Sequence, residues 1–283
     1  MTTEVVNMET MEFRPSTVAA APGRITFDVE GEVARIIIDN PRQRNAVTRD
    51  MCVDLARAVQ LADADPRVKI ITLRGAGENF SAGAAINELD RVLFDKDGEG
   101  NVIDRLSVAD AALQSASKPT IALVQGICMG GGWQLASACD ISVASDLVKL
   151  AVTPSKLGIV YPRSGIERLV QRLGADKAKF VLFSADLIPA SQAAMWGLLT
   201  ETVPEAEFED YSQSLVQRIA SRSQYSVQTM KSLIDSMTAT TDEVTEALWE
   251  NEWARLPESE DFRIGQSAFL AGQQPHFTWG RKK

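Results

Sequence analysis

Short apolar runs alternate with amphipathic segments from residue 25 to about residue 200, and there the alternation stops. A chain that keeps returning to a sheet through helices folds as a layered α/β core. Ile25–Val29 and Val33–Asp39 flank Glu30-Gly31-Glu32 and read as a hairpin. Thr48 caps a helix to about Ala62, with Met51, Leu55, Ala58, Val59 and Ala62 at helical spacing. Val68–Arg74 is a buried strand closed by Gly75-Ala76-Gly77. Phe94–Asn101, rich in Gly and Asp, reads as a mobile connection. A helix to about Ser117 is broken by Lys118-Pro119, and the strand Thr120–Gln125 follows. Gly130–Ala138 opens another helix, and Ile141–Ala144 and Val148–Ala151 are short strands. Past Glu205 the amphipathic stretches fall near 206–222, 226–237, 241–255 and 258–271. The expected organisation is a flexible arm over 1–22, an α/β core over 23–204 and a helical region over 205–283.

The 283 residues, 45% of them hydrophobic, suffice for a sizeable core without staples. A formal charge of −9 argues against a nucleic-acid partner, which needs a basic surface. It leaves room for an anionic small ligand held by a few local cations. Cys52, Cys128 and Cys139 lack metal-ligand spacing and read as buried free thiols, so no metal is expected. No apolar run approaches the ~18 residues of a membrane span. Glu4, Glu9 and Glu12 stand where a signal peptide is basic and apolar. A cytoplasmic protein without membrane contact is the expectation.

Two glycine-containing loops carry the chemistry: Phe80-Ser81-Ala82-Gly83-Ala84-Ala85-Ile86, and Gly126-Ile127-Cys128-Met129-Gly130-Gly131-Gly132-Trp133-Gln134. Each follows a buried strand and enters a helix. Glycine lets backbone approach a ligand closely, and the first N–H groups of a helix have no internal partner. Two such loops converging make an oxyanion hole; either alone is a tight turn.

Asn40-Pro41 with Arg44-Asn45-Ala46, then Phe80–Ile86, Gly126–Asp140 and Pro154–Leu169, occur in one order. So does the ending Ser259-Glu260-Asp261-Phe262-Arg263 with Ala268-Phe269-Leu270. Over residues 24–279 this pattern resembles the crotonase (enoyl-CoA hydratase/isomerase) superfamily. The resemblance implies a ββα spiral core and C-terminal helices that assemble trimers, which often pair into hexamers. It implies an acyl-CoA thioester as ligand, coenzyme A entering as part of the substrate and no other cofactor. Ala84 and Gly131 match the two oxyanion-hole N–H positions. Arg44, Ala46, Ala82 and Ile86 match stretches that line the CoA groove. Arg42 and Arg44 suit the CoA phosphates, though solvated loop charges are the alternative. Trp133 reads as a wall of the acyl pocket or as plain helix packing.

The chain departs from the hydratase pattern at the two glutamates that activate water. One position is Gln134 and the other Ser155, and neither side chain is a carboxylate base. The only histidine, His276, reads as surface or interface; Glu88, Asp90, Asp140 and Glu167 are the nearby acids. An oxyanion hole beside a pocket without those carboxylates suits a reaction that forms an enolate by losing CO2 from a malonyl-type thioester. Tyr161, in Leu157-Gly158-Ile159-Val160-Tyr161-Pro162, matches a tyrosine of the family's methylmalonyl-CoA decarboxylases. Those enzymes commonly carry histidine at Ala84 and glutamate at Gln134, so the likeness is partial. The phenol would hold the carboxylate or steer a proton, unless it only packs in the core; Arg163 is a second candidate partner. A hydratase or isomerase with a relocated acid or base, a thioester hydrolase, and a CoA-binding subunit without turnover are the alternatives.

Overall fold

Residues 23–239, 247, 251 and 259–278 are described by the computed structural model. The expected arm over 1–22, most of the expected helix over 241–255, and Trp249, Trp253 and Trp279 lie outside them.

Strands β1 (Arg24–Glu30) and β2 (Val33–Asp39) form the expected hairpin, pairing antiparallel from Arg24–Asp39 to Glu30–Val33. Gly31 turns it at φ 60°, a left-handed value that costs glycine nothing. Helix α1 (Arg49–Ala64) starts where expected, the Thr48 hydroxyl accepting from the Met51 N–H. At its other end the buried Lys118 ammonium donates to the Ala62 and Asp65 carbonyls at 2.8 and 2.5 Å. Next come β3 (Ile70–Gly75), α2 (Leu89–Leu93), β4 (Asp95–Lys96), β5 (Val102–Ile103) and α3 (Arg105–Ser115).

The segment Phe94–Asn101, expected as a connection without strands, has local structure of its own. It is built into the β4–β5 hairpin, and the Asp97 carboxylate accepts from the Glu99 and Asn101 N–H groups at 2.9 and 2.8 Å. Asp95 ties that hairpin to α1 through Arg49 and to α3 through Arg105, at 2.9 and 2.6 Å.

Strand β6 (Thr120–Val124) is followed at once by β7 (Ile127–Met129), a strand inside the second glycine loop. Helix α4 (Gly131–Ala138), β8 (Ile141–Ser145) and β9 (Lys149–Ala151) follow. Helix α5 (Arg163–Leu173) begins two residues before Gly165, and α6 (Ala175–Ser184), β10 (Ile188–Pro189), α7 (Ala190–Trp196) and β11 (Glu201–Val203) complete the alternation. Three more described helices are α8 (Phe208–Ala220), α9 (Gln224–Ala239) and α10 (Glu260–Leu270).

The main sheet runs β1-β2-β3-β6-β8-β11, parallel except for the first pair. Its side chains alternate between two cores, as the pleat requires. Ile36, Ile38, Ile71, Leu73, Ala122 and Val124 face α1, α3 and α4. Ile70, Ile121, Leu123 and Val143 face the other way, where Phe208, Val216 and Ala220 of α8 cover them. A parallel sheet buried on both faces reads as continuous apolar runs, as β3 and β6 do. A second sheet, β10-β9-β7, stands beside it. This α/β core with a helical C-terminal part presents the ends of β3 and β6 to one another. Among the described residues no helix is long and apolar enough to cross a membrane.

Candidate active site

The first loop is held by Asn45, a residue forced into the left-handed region at φ 58°. Asn45 is fully buried. Its amide nitrogen donates to the Ala76 and Asn79 carbonyls at 2.9 and 2.6 Å, and its amide oxygen accepts from the Asn40 N–H at 2.9 Å. The Ser81 hydroxyl donates to the Asn45 carbonyl at 2.7 Å and accepts from the Gly83 N–H at 3.1 Å. Val47 brackets the loop, its N–H donating to Gly83 and its carbonyl accepting from Ala85. Both neighbours of Ala84 are thereby spent on Val47, and the Ala84 N–H points away from it.

The second loop is stitched to the first. Ser81 N–H donates to the Ile127 carbonyl, and Met129 N–H to the Ser81 carbonyl, at 2.9 and 3.0 Å. Gly132 permits this closeness: a Cβ there would sit 2.4 Å from the Ser81 carbonyl oxygen. Gly130 turns the chain at φ 50° into α4, so Gly131 is the first residue of the helix. A Cβ on Gly131 would lie 3.1 Å from the Ala84 nitrogen, and one on Gly83 would lie 3.0 Å from the Gly131 nitrogen. The Ala84 and Gly131 N–H groups therefore stand side by side, and neither donates to an acceptor among the described residues. Paired free donors at a helix N-terminus suit an oxygen that gains negative charge.

They open on a cleft of about 90 Å³. Leu89 and Leu93 of α2 and Leu106 of α3 form one wall, and Thr153, Pro154, Leu157 and Ile159 another. Ala82, Ala84, Ile86, Gly131, Gln134 and Tyr161, all expected site residues, line it together. Gln134 is fully buried, yet both polar atoms of its amide lack a partner; the buried Tyr161 hydroxyl lacks one too. Buried polar groups are nearly always paired, and these three orphaned atoms all belong to residues that line the cleft. Burial pushes the Tyr161 phenol well above its ordinary pKa, which keeps it protonated and a donor. Its ring rests on Gly165, where a Cβ would meet Tyr161 Cε1 at 2.4 Å.

Other expected residues stand elsewhere. Ser155 is exposed on the Pro154–Leu157 turn and does not line the cleft, because Thr153 and Pro154 present that turn's inner side. Trp133 is buried and faces away from the cleft, with the Arg172 guanidinium 5.9 Å from its ring centre. It packs the core rather than walling the pocket. Ala46 is also buried, its carbonyl accepting from the Asn40 side chain at 2.8 Å. Arg44 is exposed at φ 51°, and its carbonyl takes the Ala82 N–H. Arg42 lines a separate polar groove with Arg24, Asp39, Thr48, Asp50 and Glu88.

No carboxylate or imidazole lines the cleft among the described residues. Glu88 faces the Arg42 groove and pairs with Arg91. Glu167 and Arg163 are exposed, pair with each other at 2.6 Å, and do not line the cleft. Asp140 accepts from Thr120 and Lys231 at 2.7 Å and is structural. His276 is exposed beside Glu260 and Arg263. Burial pushes the Cys52 and Cys139 thiols up to about 12, too high for a nucleophile at neutral pH.

Residues 28–280 match the family model described as enoyl-CoA hydratase/isomerase. The chain is 30% identical to a putative enoyl-CoA hydratase of Thermus thermophilus, over 88% of this chain and 98% of that protein. It is 28% identical to the 2,3-dehydroadipyl-CoA hydratase of Escherichia coli, over 87% and 94%. The crystal structure of an enoyl-CoA hydratase/isomerase family member superposes with a TM-score of 0.89 at 43% identity, covering 93% of this chain and 99% of that one.

Proposed function

The chain belongs to the enoyl-CoA hydratase/isomerase family, and from that premise we propose that it stabilises a thioester enolate formed by decarboxylation of a malonyl-type acyl-CoA. One observation carries the reading: the Tyr161 hydroxyl and the Gln134 amide are buried, unpartnered and beside the Ala84 and Gly131 donors, in a cleft with no carboxylate among the described residues. The thioester oxygen accepts from the two N–H groups. The substrate carboxylate accepts from Tyr161 and from the Gln134 amide nitrogen. The bond between Cα and the carboxylate breaks, its electron pair passes into the enolate and CO2 leaves. The donors hold the oxygen that carries the charge, and Cα then takes a proton delivered by water. The apolar walls favour this step, since a carboxylate poorly solvated in its ground state gains by dispersing its charge.

A glutamate at position 134 would oppose such a substrate. Two like charges ~4 Å apart repel by about 4 kcal/mol at an intermediate dielectric. Arg42 and Arg44, exposed on the approach to the first loop, are the cations we assign to the CoA phosphates. A trimer built by the helical C-terminal region completes the proposal.

The names of the relatives favour a second reading, hydration or isomerisation of an enoyl-CoA. Incubation with malonyl-, methylmalonyl- and crotonyl-CoA, followed by mass spectrometry, separates the two. Loss of CO2 from a malonyl-type thioester, reduced about 100-fold in kcat by Tyr161→Phe, is the expected result. Addition of water to crotonyl-CoA with no decarboxylation would replace the first reading by the second. Binding of all three without turnover would leave a CoA-binding subunit.

A further inference from the structure

Helix α4 runs from the cleft into the core. Its first N–H, on Gly131, faces the cleft, and its last turn is met by two arginines of α5. Arg172 donates to the Ser137 and Leu198 carbonyls, both at 3.0 Å. Arg168, one turn earlier, donates to the Ser137 hydroxyl and the Gln114 amide oxygen at 3.2 Å, and to the Gln134 carbonyl at 3.4 Å. It also pairs with the buried Asp110, which accepts from the Ser164 hydroxyl at 2.8 Å. Burial pushes the Asp110 carboxyl up, and the Arg168 guanidinium and the Ser164 hydroxyl oppose that rise. Burial, and then Arg168, pull Arg172 down, but a guanidinium starts so high that it stays charged. The cluster thus holds two cations and one anion.

A helix carries roughly half a positive charge at its N-terminus and half a negative charge at its C-terminus. In a helix about 12 Å long the negative pole offsets much of what the positive pole offers a ligand. A fixed cation on the last carbonyls removes that offset.

We propose that Arg172 is a positioning residue for the oxyanion hole, neutralising the C-terminal pole of α4 so that the pole at Gly131 acts on the thioester oxygen unopposed. The inference rests on the reading of Ala84 and Gly131 as thioester donors. It does not depend on whether the reaction is decarboxylation or hydration.

Cinnamoyl-CoA reports on it, because its absorption moves to the red as its carbonyl is polarised. Wild-type protein should bind the probe and shift its spectrum; binding without any shift overturns the oxyanion-hole reading itself. Arg172→Gln should bind with little change in affinity and lose about half of the shift, whereas Arg172→Lys, which keeps the charge, should retain it. A full shift in Arg172→Gln, or an equal loss in both variants, would overturn the proposal. Should Arg172→Gln not fold, Arg172→Met, which fills the same buried space without a charge, decides: binding with about half of the shift lost supports the proposal, and a full shift sinks it.

Discussion

At the scale of single residues, the proposed site divides into atoms assigned to the chemistry and atoms that hold them. Gln134 belongs to the first group, and its orphaned amide makes it the most informative position to change. Gln134→Glu should cut decarboxylation at least about tenfold, through repulsion of the substrate carboxylate. It should also yield a product of crotonyl-CoA carrying one added water, if the cleft is a hydratase site that lost its acid; mass spectrometry reads both. Asn45 belongs to the second group. Asn45→Ala strands one buried and two half-buried backbone groups and should lower stability by about 1–3 kcal/mol, measured by denaturant unfolding. The residues that line the cleft were legible in the sequence, because Ala84, Gly131, Gln134 and Tyr161 lie in contiguous motifs. The holders were not. Arg168 meets Asp110 across 58 residues and Asn45 meets Asn79 across 34, and nothing local in the sequence announces such pairs. Trp133 was ambiguous for the converse reason: its sequence neighbours line the cleft, but a helix turns each residue by 100°.

At the scale of elements, the β4–β5 hairpin shows how a short element escapes a sequence reading. Its strands have two residues each, too few for any alternation to register. What orders it is Asp95, whose carboxyl the Arg105 and Arg49 guanidinium groups hold down at about 2. A folded-state pKa below the unfolded value of about 3.9 gives a contribution present above that value and lost as pH falls toward 2. Asp95→Asn at neutral pH should therefore reproduce the acid loosening. Amide hydrogen exchange over residues 94–103 should accelerate there and leave the main sheet unchanged. Helices α1 and α3 should report nothing beyond their facing turns, since their own cores are intact.

At the scale of the whole molecule, two cores sit on one sheet, and the smaller is closed by α8. Phe208 is its largest buried side chain. Phe208→Ala should cost about 3–5 kcal/mol, seen as a lowered Tm, while binding of an acyl-CoA to the opposite face persists at temperatures below the transition. The fold class was readable because strand and helix periods differ so plainly up to β11. That α8 covers the second face was not, since an amphipathic helix does not name the surface it will meet. One feature of the architecture bears on how such a protein changes its trade. The two N–H donors are fixed by main-chain stitches through Ser81, Val47 and Gly132, and none of the side chains lining the cleft takes part in those stitches. On the proposed reading of these donors, the electrophile-binding half of the reaction is inherited with the backbone, and the other half is free to drift. Substitutions at Leu106, Gln134, Leu157 or Tyr161 can pass from one thioester chemistry to another without first dismantling the device that makes any of them work.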